Sequence, residues 1–174
     1  SMNKPVILYL IRAEADLERI TSIAIPGKKY AKQYFAYYGD INVLFDYGIN
    51  NKFQKYLLDI NGFKVLDVVT LSYIGKFYKI IKQLEVKNKF LRFILDISAR
   101  AIIKLIYTIQ KKDKLANKLL KKLKPSILIT DNAVERPDYF PHCVRHAAIK
   151  RNIIVHVTGH GPAGDLSASG HHRL

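Results

Sequence analysis

Two stretches decide the fold: Lys124-Pro-Ser-Ile-Leu-Ile-Thr-Asp-Asn132 and, after a helix-like segment, Asn152-Ile-Ile-Val-His-Val-Thr-Gly-His-Gly-Pro162. They read as strand, helix, strand. The first apolar run, Ile127–Thr130, ends in Asp131-Asn132, and the second, Ile153–Val157, ends in a glycine-rich turn that holds His160. Short apolar runs bounded by turn residues suit strands buried on both faces of a parallel sheet. In open parallel sheets, ligands bind just outside the carboxyl ends of the strands. The unit therefore predicts an α/β domain that handles a ligand at its strand ends.

Working outward, Pro5–Ile11 is a third apolar run, and all three runs are predicted as central strands. Ala13–Ala24 carries Leu17, Ile20 and Ala24 at helical spacing and stops at Pro26-Gly27. Gln33–Tyr38 and Ile41–Asp46 are short strand candidates parted by Gly39-Asp40, either a hairpin or one strand and an extended loop. Asn50–Ile60 reads as a helix closed by Asn61-Gly62, and Phe63–Thr70 as a strand. Ser72–Lys124 is largely helical, with breaks at Asn88 and Lys111-Lys112 and a cap expected from Asp113. One of its apolar faces is Ile74, Phe77, Ile81 and Leu84; a second is Phe90, Ile94, Ile97, Ala101 and Leu105; a third is Leu115, Leu119 and Leu123. Tyr139–Lys150 is the last helix. Strands that alternate with helices imply α/β architecture, a doubly wound and mostly parallel sheet, here with a long basic helical insertion. Residues 1–161 are expected to form one domain, with 72–124 inside it, and 162–174 a flexible tail or linker.

The chain has 174 residues, a size for one domain, and is 49% hydrophobic. Its 29 Lys and Arg against 14 Asp and Glu give a formal net charge of +15. That balance suits a polyanionic partner, and it also fits a merely lysine-rich composition. Lys76–Lys124 holds 15 Lys/Arg and 3 Asp/Glu, so it carries +12 of the +15, with Phe77, Tyr78, Phe90, Phe93 and Tyr107 interleaved. A basic amphipathic segment of this kind suits an anionic membrane surface; the alternative is a solvated face with its aromatics in the core. Nucleic acid is a poorer fit, because the cations are mostly lysine and no known nucleic-acid module matches. No segment is expected to span a membrane, since Phe90–Gln110 carries Arg92, Asp96, Arg100 and Lys104 at four-residue spacing. Cys143 is the single cysteine, so no intrachain disulfide forms; it reads as a small buried helix residue.

Several residues are candidates for chemistry. Gly159 and Gly161 let backbone approach a phosphate or a sugar, and His160 between them is a candidate base or phosphate donor; an ordinary turn is the alternative. Arg12, Glu14 and Asp16 follow the first strand. A carboxylate there, Glu14 foremost, suits a general base for a hydroxyl, or else simply enriches a helix N-terminus in acid. Asp131 and Asn132 suit sugar hydroxyls or a turn, and Arg136 suits a phosphate or a surface ion pair. His142 and His146 stand at i, i+4, but His142-Cys-Val-Arg-His146 lacks the glutamate of HExxH, and no metal site is expected. Neither GxGxxG nor a Walker sequence occurs, so no cofactor of the dinucleotide or nucleoside-triphosphate kind is implied.

The order Lys124-Pro-Ser-Ile-Leu-Ile-Thr-Asp131, then Ala147-Ala148-Ile-Lys-Arg-Asn-Ile-Ile-Val155, then Gly159-His160-Gly161 resembles the N-terminal Rossmann-like domain of GT-B-fold glycosyltransferases. The likeness is greatest to capsule and teichoic-acid-type transferases and to UDP-sugar 2-epimerases. It covers Pro5–Ile11 and 124–161, and it departs from the pattern at Asn152, where a small turn glycine is usual. The resemblance implies an acceptor-side domain of a nucleotide-sugar-dependent glycosyltransferase or glycerophosphotransferase of bacterial surface polysaccharide synthesis. It implies a donor-binding half in a second domain, and no turnover by the first domain alone. Glu14 and His160 would be catalytic, and Arg12, Asp131, Asn132, Arg136, Gly159 and Gly161 would bind substrate. The nucleotide-sugar is then a substrate, the acceptor is lipid-linked or polymeric, and the location is cytoplasmic and peripheral on the inner membrane. A non-enzymatic basic module for anionic membrane or nucleic acid is the alternative.

Overall fold

The computed structural model describes residues 4–12, 14–39, 56, 58–84, 86–109, 111–131 and 139–158. It is an α/β fold whose five parallel strands run in the order β3-β2-β1-β4-β5, a Rossmann-like sheet flanked by helices. The strands are β1 (Val6–Ile11), β2 (Lys32–Tyr37), β3 (Val65–Asp67), β4 (Ile127–Asp131) and β5 (Ile154–Thr158). β1 is central because its six residues carry no charge and can be enclosed on both faces. Its partners are in register from Val6 opposite Lys32 to Ile11 opposite Tyr37, and from Ile7 opposite Ile127 to Tyr9 opposite Ile129.

Alternation along the strands divides the core in two. Tyr9, Ile11, Phe35 and Ile129 face α1 (Glu14–Gly27), where they bury Leu17 and Ala24. Leu8, Leu10, Ala36 and Leu128 face the other way, onto α4 (Lys112–Leu123) and α5 (Phe140–Ile149). Between β3 and α4 the chain makes a 3₁₀ turn (Val68–Leu71), then α2 (Tyr73–Gln83) and α3 (Lys89–Ile109). This is the helical excursion that the sequence predicts. Ser72 opens α2 by accepting from the Gly75 N–H at 2.9 Å, and Asn88 opens α3 by accepting from the Phe90 N–H at 2.9 Å. Gly75 lies so close to the 3₁₀ turn that a Cβ there would overlap the Val69 carbonyl. Gly62 (φ 67°) closes the helical turn at 58–60, and Asn152 (φ 56°) takes the left-handed conformation that a glycine would hold without strain.

The structure corrects several sequence expectations. Ile153–Val157 is not central: β5 is the outer strand of the sheet among the described residues, with Ile154 66% exposed. An apolar run signals a strand but not its position in the sheet. Phe63–Thr70 yields only a three-residue strand, because Asp67 accepts from the Val69 N–H and turns the chain into the 3₁₀ segment. β2 pairs in parallel with both of its neighbours, and Ile41–Asp46, the other arm of a possible hairpin, lies outside the described residues. Asp113 does not cap α4: the N-cap position is Lys111, and Asp113 falls within the first turn. The expected domain end at residue 161 and the tail 162–174 also lie outside the described residues. Among the described residues, no helix is long and apolar enough to cross a membrane.

Candidate functional site

β2 and β3 extend the sheet from one edge of β1, and β4 and β5 from the other. Successive connections therefore leave β1 and β4 toward opposite faces, which opens a crevice at their carboxyl ends. Four described groups gather on the α5 side of that crevice.

Arg12 follows β1, is half-buried, and its side chain is hydrogen-bonded with Tyr139. Burial works against its charge, but the bond to Tyr139 and the proximity of Asp16 and Tyr38 outweigh it, so its pKa stands above the ordinary arginine value. Tyr38 is fully buried just past β2, where its N–H donates to the Ile11 carbonyl at 2.9 Å. Its ring meets Tyr139 edge-on at 6.4 Å and Phe140 at 5.8 Å. Tyr139 is the N-cap of α5, and its side chain makes no cap bond to that helix. Thr130 in β4 is 1% exposed, and its Oγ1 has no hydrogen-bond partner among the described residues.

The strand-end crevice thus brings together a guanidinium, the Tyr139 side chain and the Thr130 hydroxyl, with the Asp16 carboxylate close enough to favour the cation. Of the expected residues, Arg12 is the one whose side chain is seen at this mouth. Asp16, weighed as a possible base, is instead a clamp: one carboxylate oxygen accepts from the Arg12 N–H at 2.9 Å and the other from Arg19 at 2.7 Å. Glu14 begins α1 and Asp131 ends β4 opposite Thr158, so both backbones reach the strand ends, but their side chains lie outside what is described. Asn132, Arg136, Gly159, His160 and Gly161 lie outside the described residues. Sequence reasoning missed Tyr38 and Tyr139, which it took as an end of a strand and the start of a helix.

A second feature lies where the 3₁₀ turn, α2 and α4 meet. Lys76 of α2 and Lys118, Lys121 and Lys122 of α4, with Thr70 and Tyr73, line an open cleft of about 350 Å³. Among the described residues, no carboxylate lines it. Lys118 donates to the Leu71 carbonyl, and the Lys76 ammonium lies 5.5 Å from the Tyr73 ring centre. The nearby carboxylate of Asp67 is engaged by Lys79 at 2.9 Å.

His142 and His146 stack in parallel, 6.4 Å between ring centres, and no group of three or more His, Cys, Asp or Glu placed to hold a metal occurs among the described residues. Cys143 is buried in α5. Burial, and then the hydrogen bond and charge of Asp113, push its thiol up to about 11. The thiolate is the reactive species, so at pH 8 native Cys143 should alkylate with iodoacetamide on the order of a hundredfold more slowly than in urea-unfolded chain. Equal rates would mean an open thiol. Because the folded pKa lies above the unfolded one, the stability contributed by the neutral thiol is full below about pH 8.5 and falls away as the pH rises toward about 11.

No family model, no characterised protein and no solved structure matches the chain.

Proposed function

We propose that the chain is the acceptor-side domain of a nucleotide-sugar-dependent glycosyltransferase or glycerophosphotransferase of bacterial surface polysaccharide synthesis, held peripherally at the inner membrane face. The observation that carries this reading is the Arg12 guanidinium at the switch point of a parallel sheet, hydrogen-bonded with Tyr139 at the start of α5. The likeness of the strand-end sequences to GT-B N-terminal domains supports it. In sugar transfer, an acceptor hydroxyl attacks the anomeric carbon of the donor sugar. The bond from that carbon to the donor phosphate oxygen breaks, and the nucleoside diphosphate departs with the bonding pair. Glu14 is the group proposed to take the hydroxyl proton, and Arg12 binds an anionic group of the acceptor. His160, Gly159 and Gly161 are proposed to meet the substrate at the end of β5, with Asp131, Asn132 and Arg136 at the end of β4. The second reading, a basic membrane-binding module without catalysis, draws on the exposed apolar faces of α2 and α3.

The test is a titration with glycerol phosphate, a small polyol phosphate that mimics a teichoic-acid acceptor unit, followed by amide NMR. Amides of Arg12 and Phe140 should move. Arg12→Ala should abolish those shifts and weaken binding about tenfold or more, the value of a charged hydrogen bond. If no strand-end amide moves, or Arg12→Ala binds like wild type, the reading fails.

A further inference from the structure

α2 and α3 carry most of the exposed large apolar side chains of the described structure. Ten of its eighteen exposed large apolar side chains lie between Tyr73 and Leu105. On α2 they form one stripe at helical spacing, Tyr73, Phe77, Ile80 and Leu84, on the side away from buried Tyr78. α3 has two apolar faces. The one carrying Ala99 and Ile102 packs into the core. The opposite one carries Phe90, Phe93, Ile94, Ile97 and Leu105, and it is uncovered, with Phe90 71% and Phe93 60% exposed. Water-facing phenylalanines on one side of a long helix are unfavourable unless that face meets something apolar.

Charge says what kind of surface this is. By helical phase Lys89, Arg100 and Lys104 fall beside this stripe, Arg92 falls on the side of Ala99, and Asp96 is the single acid of the helix. At the foot of α2 the stripe begins at Tyr73, which also walls the four-lysine cleft. A buried protein interface disfavours so many lysines. An anionic bilayer welcomes them: apolar side chains enter the boundary of headgroups and acyl chains while lysine stems reach up to the phosphates. The cleft, with lysines from two helices and no acid among its described lining residues, suits a phosphate group, and it shares Tyr73 with the stripe.

We infer that the α2–α3 pair is a docking surface for anionic phospholipid, with the uncovered stripes seated in the lipid boundary and the Lys76–Lys118–Lys121–Lys122 cleft receiving a lipid headgroup phosphate. This deepens the peripheral location proposed above by naming the surface and the lipid chemistry, and it is independent of any sugar transfer at the crevice.

The whole chain should float with vesicles containing phosphatidylglycerol and not with vesicles of phosphatidylcholine alone, and salt should weaken the binding. Lys121→Glu with Lys122→Glu should reduce binding at least about tenfold, on the scale of the attraction of lysine to an anionic surface. Phe90→Ser with Phe93→Ser should reduce it comparably at unchanged net charge. All four residues are surface positions, so circular dichroism should be unchanged. The proposal is overturned by equal binding to neutral vesicles, by no binding to either, or by inorganic pyrophosphate saturating the cleft while vesicles do not bind, which would assign it to a soluble phosphate ligand. It is also overturned if the phenylalanine variant converts a dimer to a monomer and wild type ignores lipid, which would assign the face to a second copy of the chain. The glycerol phosphate titration reads none of these quantities, so failure there leaves the lipid result standing, and the reverse also holds.

Discussion

Gly75→Ala should lower the stability of the folded chain by about 3–5 kcal/mol, in the range reserved for substitutions that force backbone apart. Gly75 lies in the first turn of α2, under the cap formed by Ser72, and its Cα faces the Val69 carbonyl of the preceding 3₁₀ turn. A methyl at that point meets a backbone oxygen, and a backbone oxygen cannot rotate aside as a flexible side chain does. Relief requires α2 to back away from Val68 and Val69, both buried, and to pull Tyr78 out of the core. Urea unfolding followed by circular dichroism measures the loss. A change under about 1 kcal/mol would show that α2 and the turn are not locked to one another, as a tolerated overpacking would be.

Phe35→Ala should cost about 3–5 kcal/mol, the range for emptying a large buried aromatic site. Phe35 is fully buried in β2 on the α1 face. Its ring stacks on Tyr9 of β1 at 5.0 Å and 19°, and meets Phe63 at 4.9 Å in a tilted contact. The substitution removes apolar burial and two ring contacts together, and β1 and β2 hold the hole open because they are clamped by the sheet. Phe35→Leu, which refills most of the volume, should lose substantially less. Thermal unfolding of the pair checks this. Equal losses for Ala and Leu would mean that ring contacts rather than volume dominate.

The fold was legible because apolar runs at Pro5–Ile11, Gln33–Tyr38, Ile127–Thr130 and Ile153–Val157 all became strands, and alternation with helices implied the parallel sheet. The sequence could not rank strands within the sheet. Ile153–Val157 looks like Pro5–Ile11 by composition, yet one is the rim and the other the centre, since rank is set by pairing between distant segments. Arg12 was legible as a cation at a strand end. Its partners Tyr38 and Tyr139 were not, because three elements bring them together. Asp16 shows the reverse: its type suits a base, and its geometry makes it the brace of the β1–α1 turn. Phe90, Ile94, Ile97 and Leu105 show how far periodicity reaches. It reveals that an apolar face exists and is silent on what covers it, and here the covered face is the other one.

The pairing of β1 with β4 sets a timetable. Val6 and Ser126, joined at the start of that ladder, stand 120 residues apart in sequence, whereas β1 and β2 are separated by one helix. Loop closure over such a span is paid before any contact returns it, so the β1–β4 ladder belongs to the slow, non-local part of folding. On a ribosome adding about 5–20 residues per second, β1 waits on the order of ten seconds for its second neighbour to emerge. Through that interval one edge of the most apolar strand has no partner from its own chain, and the cleft between β1 and β4 does not yet exist. The strand-end crevice is therefore among the last features the nascent chain acquires.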